Sequence, residues 1–120
     1  MRRLFFLLAF LSVPSVVLAQ TSATPASKFV FDQIAPDLAT ANGYTYRYYA
    51  DAATVGATLT AVCTGTASPF TCSAPIPAFT PGGHAVTITA ANIGGESAKS
   101  APLSFTFVVV PAPPTGLRIQ

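Results

Sequence analysis

Hydrophobic and polar positions alternate in several short stretches of the chain, and the alternation predicts strands. In Lys28–Gln33, Phe29 and Phe31 share one parity while Lys28 and Asp32 take the other. Successive side chains of a strand point to opposite faces, so this is the pattern of a half-buried strand. Tyr44–Tyr49 reads the same way, with Tyr44, Tyr46 and Tyr48 facing inward and Thr45, Arg47 and Tyr49 outward. A third strand is predicted from Ala57 to Cys63, with Leu59, Ala61 and Cys63 in phase. Phe70–Ile76 is a short strand that Pro75 and Pro77 confine to an edge or a strand exit. His84–Ala90 sets Val86, Ile88 and Ala90 on one face and Thr87 and Thr89 on the other. Leu103–Val110 points Leu103, Phe105, Phe107 and Val109 in, and Ser104 and Thr106 out. The shared parities predict a core of Phe29, Phe31, Tyr46, Leu59, Val86, Ile88, Phe105 and Phe107.

Turn residues punctuate these runs: Pro36, Asp37, Asn42 and Gly43, then Pro81-Gly82-Gly83, then Asn92 to Glu96. No segment carries a helical period, and there is no internal repeat. Short strands separated by turns describe an all-β fold, an antiparallel sandwich of two sheets.

Composition adds the compartment. Met1-Arg2-Arg3 is a basic start, Leu4 to Leu11 is an unbroken apolar run, and Val17-Leu18-Ala19 offers small residues at the positions a signal peptidase requires. A cleavable signal peptide over 1–19 is expected. The competing reading, a membrane anchor, needs ~20 apolar residues, and Pro14 and Ser15 interrupt the stretch before that length. No later run is long enough to span a membrane. A short polar lead-in, 20–27, would precede one domain over 28–110, followed by a Pro-rich linker and possible extra strand over 111–120. The location follows as secreted, periplasmic or cell-surface.

With the signal gone, Lys28, Arg47, Lys99 and Arg118 balance Asp32, Asp37, Asp51 and Glu96, so the mature chain is formally neutral. No basic face is left for nucleic acid. Only 8% of residues are charged while 51% are hydrophobic, the opposite of a disordered chain. Fifteen threonines, eleven prolines and eight glycines favour strands and turns.

Cys63 and Cys72 are the only cysteines, and an even count in an exported chain reads as a disulfide. A metal or redox pair is the alternative, but His84 is the only histidine to join them.

From Phe79 the stretch Phe79-Thr-Pro81-Gly-Gly-His84-Ala-Val-Thr-Ile-Thr-Ala-Ala-Asn92 resembles strand F of a fibronectin type III domain. Gly95-Glu96-Ser97, Ser100 and Pro102-Leu-Ser-Phe105 resemble the following loop and strand G. Phe31-Asp32-Gln33 with Ala35-Pro36 is similar to the end of strand B, and Tyr44 to Asp51 to strand C. The resemblance covers roughly residues 28–110 and implies an immunoglobulin-like sandwich used as a non-catalytic binding or adhesion module. Three features depart from that family. The chain has no Trp, leaving Phe31 in the usual core position; His84 stands where the family has a Tyr; and a Cys63–Cys72 bridge is unusual there. No first strand is evident before Lys28, whereas Thr115-Gly-Leu117-Arg-Ile119 resembles one.

The chemistry offers few candidates. His84 reads as a corner residue bonding the backbone rather than as a ligand or base. Ser97 and Lys99 lack the oriented base and oxyanion donors that a catalytic serine needs. The carboxylates are dispersed, so no catalytic site, cofactor or metal site is expected. Arg47 and Tyr49 on an outer sheet face, with the loop residues Asn92, Gly94, Gly95, Glu96 and Ser97, form the candidate binding surface for a protein or carbohydrate. An ordinary solvated face is the alternative. The expected function is an exported, non-catalytic binding module. The competing readings are a structural subunit assembling by strand exchange through the tail, or the N-terminal fragment of a longer surface protein.

Overall fold

The computed structural model describes residues 21–120; the expected signal peptide, 1–19, lies outside them. Nine strands and one short helix follow in the order β1 (Ser22–Ala23), β2 (Lys28–Gln33), α1 (Leu38–Gly43), β3 (Thr45–Ala50), β4 (Ala57–Leu59), β5 (Val62–Thr64), β6 (Phe70–Pro75), β7 (Gly82–Asn92), β8 (Gly95–Glu96) and β9 (Leu103–Phe107). They form two sheets. The larger has the order β1-β9-β7-β3-β4 with β8 paired to β7, and the smaller has the order β2-β6-β5. All neighbours are antiparallel except β1, which runs parallel to β9.

The two sheets share one core. Phe29, Phe70, Cys72 and Ala74 come from the smaller sheet, and Tyr46, Leu59, Val86, Phe105 and Phe107 from the larger. Six of the eight residues expected there are buried, while Phe31 and Ile88 are half-buried. Both line one open side of the molecule, where no strand among the described residues covers them. Phe79, in the connection before β7, sits at the centre of the aromatic packing. Its ring lies 5.3 Å from Phe105, 5.8 Å from Phe107 and 4.9 Å from His84. Periodicity gives no sign of this residue, because it lies between strands.

Four expectations need correction. Ala57–Cys63 is not one strand: β4 pairs with β3 in the larger sheet, and β5 pairs with β6 in the smaller. The chain crosses between sheets at Thr60-Ala61, which keeps the parity that had suggested continuity. The break over 35–43 contains helix α1, capped by Asp37, whose side chain accepts from the Thr40 N–H at 2.7 Å. Six residues are too few to display a helical period. Within the lead-in, Ser22–Ala23 forms a strand and Ala23 is buried. At the other end, β9 stops at Phe107, and Leu103 and Val109, expected inside, are 47% and 45% exposed.

Helix α1 is docked by two polar contacts. The Asn42 side-chain amide brackets Cys63, accepting its N–H at 2.8 Å and donating to its carbonyl at 3.1 Å. Asn42 thereby takes the place of a neighbouring strand on the edge of β5. The buried Tyr46 hydroxyl donates to the Ala41 carbonyl at 2.7 Å. Burial pushes the Tyr46 phenol above its ordinary pKa. Cys63 and Cys72 are paired across β5 and β6, with Cα atoms 3.9 Å apart and the sulfurs at disulfide-bonding distance. Among the described residues, no helix is long and apolar enough to cross a membrane.

Candidate functional site

The expected surface assembles at one end of the larger sheet. β3 and β7 place Arg47 opposite Thr89 and Tyr49 opposite Thr87, all on the outer face. The hairpin from β7 to β8 pairs Asn92 with Gly95 and Ala91 with Glu96. Its turn is held by Asn92, whose side chain accepts from the Gly94 N–H at 2.8 Å. Gly95 has φ +125°, a conformation that side chains rarely adopt, so glycine is required at that point of the hairpin. The hairpin folds Glu96 back over the sheet.

Glu96 is the hub. Its Oε1 accepts from the Tyr49 hydroxyl and the Thr89 hydroxyl, each at 2.5 Å, and its Oε2 lies 3.8 Å from Arg47 Nη1. The Thr89 and Tyr49 hydrogen bonds hold the Glu96 carboxyl below the usual carboxylate range. The same bond pushes the Tyr49 phenol up, because ionising it would set two anions together. Lys99 lies over the Tyr49 ring, 4.3 Å from its centroid. Gly56 also abuts that ring, where an added Cβ would come within 2.7 Å of Tyr49 Cζ. Tyr49, expected in an exposed binding surface, and Thr89, expected on the outward face, are therefore buried at 9% and 3% exposure. The cause is that Glu96, Lys99 and the chain at Gly56 roof over this patch of sheet.

Beside the cluster is a cavity of about 350 Å³, lined by Gln33, Tyr44, Ala90, Ala91 and Asn92, Gly94, Gly95, Glu96 and Ser97. The five predicted loop residues all line it. Arg47 and Tyr49 do not; they reach it only through Glu96. Gln33 and Tyr44 were missed as site residues. Tyr44 shares parity with Tyr46 and packs against the core as expected, but it precedes β3 and is half-buried, so it also lines the cavity. Gln33 ends β2, and only the packing of one sheet on the other brings it here.

Ser97 and Lys99 are engaged with different partners. Ser97 Oγ accepts from the Ala90 N–H at 3.0 Å and donates to the Ala98 carbonyl at 2.9 Å, which ties the connecting segment to β7. His84 lies away from this end, and its side chain is 11% exposed. Its Nδ1 is 3.0 Å from Asp51 Oδ2 and its Nε2 is 2.7 Å from the Thr80 carbonyl. That joins the turn at Asp51 to the segment leading into β7. Among the described residues, no three His, Cys, Asp or Glu side chains group as metal ligands would.

Comparison of the chain with protein-family models, with curated proteins and with solved structures finds no match.

Proposed function

We propose that the chain is an exported, non-catalytic binding module of the fibronectin type III or wider immunoglobulin-like kind. Its ligand would be a polar group presented by a carbohydrate or a peptide. Two sheets around a shared core support the sandwich, and the disulfide-bonded pair is compatible with an oxidising compartment. The observation that carries the reading is the cavity between Tyr44 and the β7–β8 hairpin. An aromatic ring, a side-chain amide and a preset carboxylate converge there. The carboxylate is already oriented by two hydroxyls, so a bound donor would meet it with little reorganisation.

Probing the mature protein with glycan and peptide arrays, then measuring affinity for whatever binds, tests this. Tyr44→Ala and Gln33→Ala should each weaken binding about tenfold or more, as expected for residues within a small contact. Binding unaffected by both changes overturns the assignment of the cavity. Export is checked separately: mass spectrometry of protein secreted by an export-competent host should show a chain starting at Gln20, and a retained Met1 would refute the signal peptide.

A further inference from the structure

β2 is an edge strand, paired to β6 on one side only. Among the described residues, nothing pairs with its other side. There the two sheets part to leave a groove of about 350 Å³ between Phe29 and Phe31 of β2 and Val86, Ile88 and Leu103 of the opposite sheet, with Ser100 of the segment leading into β9. β1 covers the corresponding margin of the larger sheet only at its far end, pairing Ser22 and Ala23 with Thr106 and Phe107. Phe31 and Ile88 are half-buried in consequence, and Val30 and Leu103 are 66% and 47% exposed. An uncovered edge with unpaired N–H and C=O groups beside an apolar groove is a template for one more strand.

We propose that this strand is Thr115–Ile119 of a second copy of the chain. In the added strand Leu117 and Ile119 share one parity and Arg118 takes the other. Set beside β2, the two apolar side chains enter the groove against Phe31 and Ile88. Arg118 falls on the outer face beside Asp32, which shares that face with Val30. The charges are complementary, and among the described residues Asp32 makes no ion pair.

The tail is presented for this contact rather than used in its own domain. No residue after Phe107 belongs to the core, and Leu117 and Ile119 are 101% and 100% exposed. Pro111, Pro113 and Pro114 keep residues 111–114 extended and stiff. The chain leaves β9 at the end where Val108 N–H bonds the Ala23 carbonyl, whereas the groove lies at the Leu103 end. The chain therefore leaves β9 heading away from its own groove. Tail-to-groove contacts between copies are heterologous and propagate into chains unless they close into a ring. The groove shares no residue with the cavity beside Tyr44, so self-association and ligand binding are separable.

Light scattering on the mature protein should show oligomers that grow with concentration and vanish when residues 111–120 are removed. A synthetic peptide of residues 111–120 should then bind the shortened chain, 20–110, in equal proportion. Asp32→Arg in the acceptor should weaken that binding about three- to fivefold, the size expected of reversing one exposed ion pair, and Arg118→Asp in the peptide should restore it. Leu117→Asp in the peptide should abolish binding. The proposal is overturned by a mature chain that stays monomeric at all concentrations, by a peptide that does not bind, or by binding indifferent to both charge changes.

Discussion

Individual side chains here are held by few but specific contacts, and His84 is the clearest case. Each ring nitrogen lies close to an oxygen that only accepts, Asp51 Oδ2 at 3.0 Å and the Thr80 carbonyl at 2.7 Å, with the Thr80 hydroxyl farther off at 3.5 Å from Nε2. Only the imidazolium, with a proton on each nitrogen, satisfies both. Accordingly the Asp51 hydrogen bond, and then the Thr80 carbonyl, raise the His84 pKa, while the His84 hydrogen bond lowers that of Asp51. The raised His84 value adds stability that is complete below its unfolded value of ~6.5 and is lost as pH rises through the folded value. The depressed Asp51 value adds stability present above ~3.9 and lost as pH falls through the folded value. The melting temperature should therefore fall as pH rises above about 6.5, the ordinary value from which His84 is raised. His84→Phe keeps an aromatic ring against Phe79 and Phe105 and should flatten that slope. An unchanged slope in the variant would show that the imidazolium is not the species held. A second residue-scale test concerns Tyr46. Tyr46→Phe leaves the Ala41 carbonyl without its buried donor and should cost about 1–3 kcal/mol in denaturant unfolding.

Between elements, stability depends on how short strands are tied together. β4 and β5 have three residues each, and among the described residues β5 pairs only with β6. The Cys63–Cys72 bridge closes a ten-residue loop across that pair, a constraint of about 2–3 kcal/mol on the unfolded chain. Reduction should lower the midpoint of urea unfolding accordingly, and thiol labelling of native, unreduced protein should find no free thiol. The roof over Tyr49 is also an element-level device. Gly56→Ala would drive a Cβ into the Tyr49 ring and separate its hydroxyl from Glu96. Tyr49 should then titrate closer to its ordinary value, visible as a lower phenolate midpoint by ultraviolet absorbance.

Across the whole molecule, burial separates the two flanks of the core. Phe105 is 2% exposed and packs on Phe29 and Phe79, so Phe105→Ala should cost about 3–5 kcal/mol. Ile88 is half-buried at the open side, and Ile88→Ala should fall below the ~2–5 kcal/mol typical of a sealed site. In the presence of the tail peptide the Ile88→Ala loss should grow, because an occupied groove buries that side chain further.

Parity along the chain determined most of the strands and their inward residues, because a two-residue period survives wherever one face meets a core. Phe29, Tyr46, Val86 and Phe105 were all legible from it. So was the disulfide, from the even cysteine count. The β7–β8 hairpin that lines the cavity was legible only as a glycine-rich turn. What the tertiary structure decided lies where period carries no information. The crossover at Thr60-Ala61 changes sheets without changing parity. Helix α1 is too short to show its period, and β1 is two residues long, so both exist only because Asn42, Tyr46 and β9 hold them. Tyr49 and Thr89 are buried on what parity marks as the outer face, because Glu96 is brought back over them by a hairpin. A local pattern records which face a residue takes; only the assembled sheets determine what stands in front of that face.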